Sequence, residues 1–258
     1  MYQKEMYAAI EAGILAQKEI LKVYKKDFKV EYKEDNSPVT EADKTSDLII
    51  RGYLKSKFPD YYFLTEEGKD DKERLNKEFV WIIDPLDGTE DFVKKDDEFS
   101  INIALSKNHE IVMGVIIIPV TSTIYCAIKG EGAYKINYEK VKRIYVSKKN
   151  SDLTCFTSIY HLKENELAMI DKHKDKITNV IKKGSSLKAC LIAEGLGEIS
   201  YRLSKGTKER DTAAFDIIVR EAGGLVLKPD GKPMIYNREN VYNDEGYVIV
   251  NRIENFLL

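Results

Sequence analysis

FVWIIDPLDGTEDF, residues 79–92, runs five apolar residues from Phe79 to Ile83 straight into Asp84, turns on Pro85, and then presents Asp87, Gly88 and Thr89. A short apolar run bounded by turn residues is the pattern of a buried strand. A tight turn at Pro85-Leu86 is expected to bring both carboxylates to one side and to leave the Leu86 carbonyl unpaired and pointing the same way. Downstream, FSINIALS (99–106), EIVMGVIIIP (110–119), STIYCAIK (122–129), GAYKI (132–136) and KRIYVS (142–147) follow at short spacing, with turn residues at Lys107-Asn108 and Gly130-Glu131-Gly132. That texture predicts a mainly antiparallel meander.

Upstream, residues 2–27 repeat apolar side chains (Met6, Ile10, Ile14, Ile20, Tyr24) at helical spacing, and a second helix is expected from Thr40, as N-cap, to about Phe58, with a loop in front of it. Beyond Asn150 the pattern changes. Strands near 154–159, 197–202, 224–228 and 246–250 alternate with helical stretches near 164–174, 186–195 and 211–222. Alternation of this kind predicts an α/β half with its sheet covered on both faces. The expected division is an N-terminal α+β domain over 1–149 and a C-terminal α/β domain over 150–258. The charge run EGKDDKERLNKE (67–78) reads as a mobile, solvated loop.

The 258 residues suffice for a large core. With 41 Lys+Arg against 43 Asp+Glu, the net charge of −2 offers no basic field for a nucleic-acid polymer. Cys126, Cys155 and Cys190 are far apart and read as reduced core residues. No stretch approaches membrane-spanning length and no signal segment is evident, so a cytoplasmic protein is expected.

Four acidic clusters sit beside turn or cap signals: Asp43, Glu66-Glu67, Asp84 with Asp87, and Asp211. Taken singly, each is an ordinary turn or cap residue. Their recurrence beside rigid elements argues for a cation site, and hard oxygens with no His or Cys nearby suit Mg²⁺. If GTEDFVKK (88–95) begins a helical turn, the free N–H groups after Gly88 favour phosphate, and the Thr89 hydroxyl is able to orient a water.

PVTEAD (38–43), TEE (65–67), DPLDGTEDF (84–92) and DTAAFDIIVREAGG (211–224), in this order, resemble the inositol monophosphatase superfamily of Mg²⁺-dependent, lithium-sensitive phosphatases, over nearly the whole chain. SIYH (158–161), GSSLKACLIAEG (184–195) and YRL (201–203) are similar to its 3′(2′),5′-bisphosphate nucleotidase branch. The resemblance implies a layered αβαβα sandwich, the sugar-phosphatase fold. It makes Glu66, Asp84, Asp87, Asp211 and the Leu86 carbonyl ligands of two or three Mg²⁺ ions, with Asp43 and Thr89 positioning the attacking water. Gly88 and Thr89 would hold the transferred phosphate, and His161, Ser185, Ser186, Lys188 and Arg202 the rest of the substrate.

The implied reaction is hydrolysis of adenosine 3′,5′-bisphosphate to AMP, with inositol or sugar monophosphatase activity as the alternative. A homodimer is usual in the family. A different class of reading, a catalytically silent nucleotide or Mg²⁺ sensor acting through the 67–78 loop, is disfavoured because no ligand position is lost. Two residues depart from the pattern. Arg210 stands where the family usually has Trp and reads as extra charge at the pocket rim. Phe215 stands where the branch commonly has Gly and is expected to narrow the pocket.

Overall fold

A computed structural model of the chain describes residues 1–32, 38–138 and 140–258. Residues 33–37, part of the loop expected ahead of the second helix, lie outside the described residues.

The first layer pairs α1 (Gln3–Tyr24) with α2 (Glu41–Lys57). α1 turns Ala8, Ala9, Ala12, Gly13 and Ala16 inward, a small-residue face that permits close approach. α2 starts at Thr40, whose side chain accepts from Ala42 N while the Asp43 carboxylate accepts from Thr40 N, a reciprocal cap that fixes Asp43 at the helix entrance. Ahead of α2, β1 (Glu31–Tyr32) pairs antiparallel with β2 (Pro38–Val39).

The second layer is a sheet of seven strands: β3 (Tyr62–Thr65), β4 (Phe79–Asp87), β5 (Ser100–Lys107), β6 (Glu110–Ile118), β7 (Thr123–Ile128), β8 (Gly132–Asn137) and β9 (Lys140–Ile144), in that spatial order. From β4 to β9 it is the expected antiparallel meander; β3 lies parallel to β4. Both faces of the sheet are covered, which explains the unbroken apolar runs. Trp81, Ile83, Ile101, Ile103, Val115 and Ile117 pack toward α1 and α2, whereas Val80, Ile82, Ala104 and Ile116 pack the other way.

On that other face lie α5 (Leu187–Ala193) and α6 (Glu209–Glu221). Beyond them a mixed five-stranded sheet is ordered β11 (Ile177–Lys182), β10 (Leu153–Thr157), β12 (Ile199–Arg202), β14 (Tyr247–Val250), β13 (Leu225–Leu227). Tyr247 and Ile249 face α6, while Val248 and Val250 face the outer layer, α4 (Glu164–Lys172), through Ile170. The layers therefore run αβαβα. α3 (Thr89–Lys94) caps the end of β4.

Three expectations need correction. The 67–78 segment, expected to be a mobile solvated loop, lies at the surface but is anchored at one buried residue. It contains a 3-10 turn, Lys72–Asn76, whose Arg74 side chain is 0% exposed and bonded to Asp70, Asn237 and the Arg238 carbonyl. The tight turn at Pro85-Leu86 is instead a bulge within β4: Asp84 pairs with Asn102 and Asp87 with Ser100, three steps on one strand against two on the other. β11 was not foreseen because five of its six residues are exposed and carry no apolar alternation. The three cysteines are free and buried. No described helix is long and apolar enough to cross a membrane.

Candidate active site

The bulge is the origin of the site. In a regular strand, residues three apart point to opposite faces; the extra residue puts Asp84 and Asp87 on the same one. Ser46 of α2 donates to the Pro85 carbonyl at 2.8 Å and so fixes the bulge from below. Asp84 Oδ1 accepts from Leu86 N at 3.2 Å. The Leu86 carbonyl, expected to be unpaired, accepts from Thr89 Oγ1 at 3.3 Å.

Asp87 is positioned from both halves of the chain. Its Oδ2 accepts from Ser185 Oγ at 2.6 Å, Ser186 Oγ at 2.7 Å, Asn102 Nδ2 at 3.3 Å and Ser100 Oγ at 3.4 Å. The two serines named from sequence as substrate contacts thus spend their hydroxyls on Asp87. Lys188 Nζ donates to the Lys183 and Ser185 carbonyls and holds that serine loop; burial pulls its pKa down, against the pull of Asp87 and Asp91.

Asp43 and Thr89 meet as expected, Thr89 Oγ1 lying 3.1 Å from Asp43 Oδ1, while Asp43 Oδ2 accepts from both Thr40 N and Thr40 Oγ1. Burial pushes the Asp43 carboxyl up to about 6 despite those bonds. Gly88 precedes α3 with φ of +86°, and a Cβ there would come 3.1 Å from Ser185 Cβ, so both conformation and space select glycine.

Asp211 is the third residue of α6; its Oδ2 accepts from Lys208 N at 2.8 Å, the helix-start geometry expected of it. Arg210 is not at the rim. Its guanidinium stands among three carboxylates, Nη2 lying 2.8 Å from Glu66 Oε1, and Nε 3.7 Å from Asp84 Oδ2 and 3.6 Å from Asp211 Oδ1. A helix-start residue next to Asp211 can reach the cluster because the first turn of α6 faces β4. Phe215 lies buried against Tyr247, with ring centroids 5.6 Å apart.

Among the described residues no three His, Cys, Asp or Glu side chains close on one point at metal-binding distance. The donor set nonetheless suits a hard divalent cation. Glu66, Asp84, Asp87 and Asp211 bring four carboxylates together against one guanidinium. Asp84 is driven well above the ordinary carboxylate range by burial and then by Glu66 and Asp87; Asp211 is raised by burial, with Arg210 opposing. Carboxylates this close disfavour one another's ionisation, which a bound cation would restore.

His161 and Arg202 are neighbours. The His161 ring is 54% exposed, with Nε2 3.4 Å from Glu90 Oε2, and burial followed by the Arg202 charge lowers its pKa. Arg202 Nη1 donates to the His161 carbonyl at 2.9 Å, and Arg202 Nε is buried without a partner among the described residues. The sequence reading missed Ser100, Asn102, Asp91 and Glu98. Two polar residues spaced by two in the apolar strand FSINIALS were the available signal for the first pair. Glu98 binds Lys183 and Gly184 N, and a Cβ on Gly184 would fall 2.4 Å from Asp91 Oδ1.

A family model, the inositol monophosphatase family, matches residues 1–256. The chain is 33% identical over 236 residues to the 3′(2′),5′-bisphosphate nucleotidase CysQ of Haemophilus influenzae, covering 90% of this chain and 87% of that one. It is 35% identical over 234 residues to CysQ of Escherichia coli K12, with 88% and 92% covered. Among solved structures, the crystal structure of CysQ from Bacteroides thetaiotaomicron superposes with a TM-score of 0.85 at 36% identity, covering 98% of this chain and 99% of that one.

Proposed function

The chain belongs to the inositol monophosphatase family, and from that premise we propose that it is a Mg²⁺-dependent 3′(2′),5′-bisphosphate nucleotidase that hydrolyses adenosine 3′,5′-bisphosphate to AMP and phosphate. Glu66, Asp84, Asp87, Asp211 and the Leu86 carbonyl would hold the cation. When bound, Mg²⁺ lowers the pKa of water and offsets charge on the phosphate and the departing oxygen.

The residues of the chain supply orientation. Asp43 Oδ2 is held by Thr40, so Oδ1 is left for Thr89. With its hydrogen given to Asp43, Thr89 Oγ1 presents lone pairs and accepts a hydrogen bond from a water, aiming the oxygen lone pair of that water at phosphorus. The N–H groups of Gly88 and Thr89 at the start of α3 would bind the transferred phosphate.

The observation that carries a bisphosphate over a monophosphate is Arg202. Its Nη1 donates to the His161 carbonyl, and its buried Nε lacks an acceptor among the described residues. A planar guanidinium is suited to a second phosphate. The reading includes a homodimer, checked by light scattering, and a cytoplasmic setting in which the three thiols stay reduced.

The test is phosphate release from adenosine 3′,5′-bisphosphate with Mg²⁺, with and without Li⁺, beside inositol 1-phosphate and fructose 1,6-bisphosphate. Release from the nucleotide, inhibited by Li⁺ and far faster than from the others, is the expected result. Preference for inositol 1-phosphate would sink the nucleotidase assignment and leave the site chemistry standing.

A further inference from the structure

Arg210 sits where a cation belongs. Its contacts with Glu66, Asp84 and Asp211 are to three of the four carboxylates read above as cation ligands. Only the Nη2–Glu66 contact, at 2.8 Å, lies within hydrogen-bonding distance. The Nε–H is 3.6 and 3.7 Å from its acid neighbours and is buried without a hydrogen-bond partner among the described residues. Arg74, by contrast, forks onto the single carboxylate of Asp70 with two bonds, at 2.6 and 3.0 Å. The Arg210 guanidinium is spread among three, offsetting part of their charge at the cost of an unsatisfied donor.

We propose that Arg210 is a built-in counter-ion of the carboxylate cluster, and that its guanidinium and a bound divalent cation exclude one another. The inference rests on the cation-site reading given above and goes beyond it. A Mg²⁺ ion needs carboxylate oxygens at about 2.0–2.1 Å in near-octahedral array. Oxygens pointed at a guanidinium 2.8–3.7 Å away are turned to a different centre. A full positive charge left in place would also repel the ion. Binding is therefore an exchange: the cation enters and the guanidinium swings outward. The side chain is equipped for this, since it is 14% exposed and has, among the described residues, a single short charged contact to release.

Two consequences follow from this exchange. The metal-free protein keeps its acidic cluster partly compensated and remains folded, and the affinity for Mg²⁺ is lowered by whatever the guanidinium contributes to the metal-free cluster.

The test compares wild type, Arg210→Gln, which removes the charge, and Arg210→Lys, which keeps it. Mg²⁺ binding is measured by calorimetry at fixed ionic strength, and melting temperature is measured in EDTA and in saturating Mg²⁺. The glutamine variant is expected to bind Mg²⁺ at least about tenfold more tightly, within the span of ordinary linkage effects, to melt lower in EDTA, and to gain more from Mg²⁺. The lysine variant is expected to stay close to wild type.

Unchanged or weaker Mg²⁺ binding by Arg210→Gln, with wild type binding normally, overturns the counter-ion role and leaves the cation site intact. Failure of wild type and both variants to bind Mg²⁺ overturns both. A measurement on the wild-type protein guards against a variant that does not fold. The Arg210 Nε–H resonance, assigned by its loss in the lysine variant, should shift with Mg²⁺ along the calorimetric isotherm. A resonance indifferent to bound Mg²⁺ overturns the exchange.

Discussion

At Thr89 a single hydroxyl lies within reach of both Asp43 Oδ1 and the Leu86 carbonyl, at 3.1 and 3.3 Å. It has one hydrogen to give, so its worth in the proposed reaction is the lone pairs left facing the water. Thr89→Ser keeps that oxygen and is expected to retain activity within about tenfold, whereas Thr89→Ala should lose roughly 10²–10⁴ in kcat. Equal losses in the two variants would mean that the methyl group, not the hydroxyl, matters. A second residue-scale prediction concerns pH. Burial raises Asp216 from 3.8 to about 6 although Arg220 Nε donates to it at 3.1 Å. The folded state then holds a proton that the unfolded chain has released, so this contribution is complete below about pH 3.8 and is lost as pH rises through about 6. Asp216→Asn removes it. Denaturant titrations should show wild-type stability falling relative to the variant by roughly 2–3 kcal/mol between those limits; a constant difference would refute the assignment. At this scale the sequence exposed Asp84 and Asp87 because they end an apolar run, and Asp43 and Asp211 because they follow cap signals. It hid the role of Arg210, whose neighbours come from 66 and 84, far along the chain.

The site depends on how closely α6 lies over β6, and one glycine sets that distance. A Cβ on Gly114 would fall 2.6 Å from the Ala214 carbonyl oxygen and 2.6 Å from Ile217 Cγ2. The first is backbone and cannot move without moving α6, which carries Arg210 and Asp211. Gly13 of α1 offers a control, because its Cβ would meet the Ile117 side chain, with Cδ1 nearest at 2.4 Å. Gly114→Ala is expected to cost about 1–3 kcal/mol by overpacking. Gly13→Ala should be far milder, since a side-chain tip can rotate and alanine gains about 1 kcal/mol of helix propensity. Thermal melts of the two variants decide the matter, and a larger loss at Gly13 would contradict it. Strands β4 to β7 of the seven-stranded sheet could be read because both faces are covered and their side chains are mostly apolar. The parallel β3 could not be paired from its four residues, and β11 at a sheet edge carried no pattern to find. The bulge in β4 was mistaken for a turn because Asp-Pro-Leu-Asp satisfies either; only the partner register separates them.

Across the whole molecule, the segment expected to be loose ties the N-terminal half to the helix bearing the cluster. Arg74 Nη1 donates to Asn237 Oδ1 at 2.8 Å, and Asn237 Nδ2 returns a bond to the Arg74 carbonyl at 2.9 Å. Asn237 N and Arg238 N in turn donate to Glu209, the first residue of α6, at 2.6 and 2.8 Å. The chain of contacts thus runs from Asp70 through Arg74 and Asn237 to Glu209, one residue from Arg210 and two from Asp211. Arg74→Met keeps most of the buried volume but leaves Asn237 Oδ1 and the Arg238 carbonyl without the guanidinium and Asp70 with Lys72 in its place. Because Asp70 is 28% exposed and water can replace part of its bonding, the expected loss is about 2–4 kcal/mol, toward the lower part of what breaking a buried pair costs. The variant should also need more Mg²⁺ for half-maximal activity under conditions where it is fully folded, because the start of α6 loses a support while Asp43 and Thr89 keep theirs. Denaturant unfolding and Mg²⁺ titration of activity measure the two effects separately. Stability loss with an unchanged Mg²⁺ requirement would confine Arg74 to the fold and show that Glu209 alone holds the helix start in place.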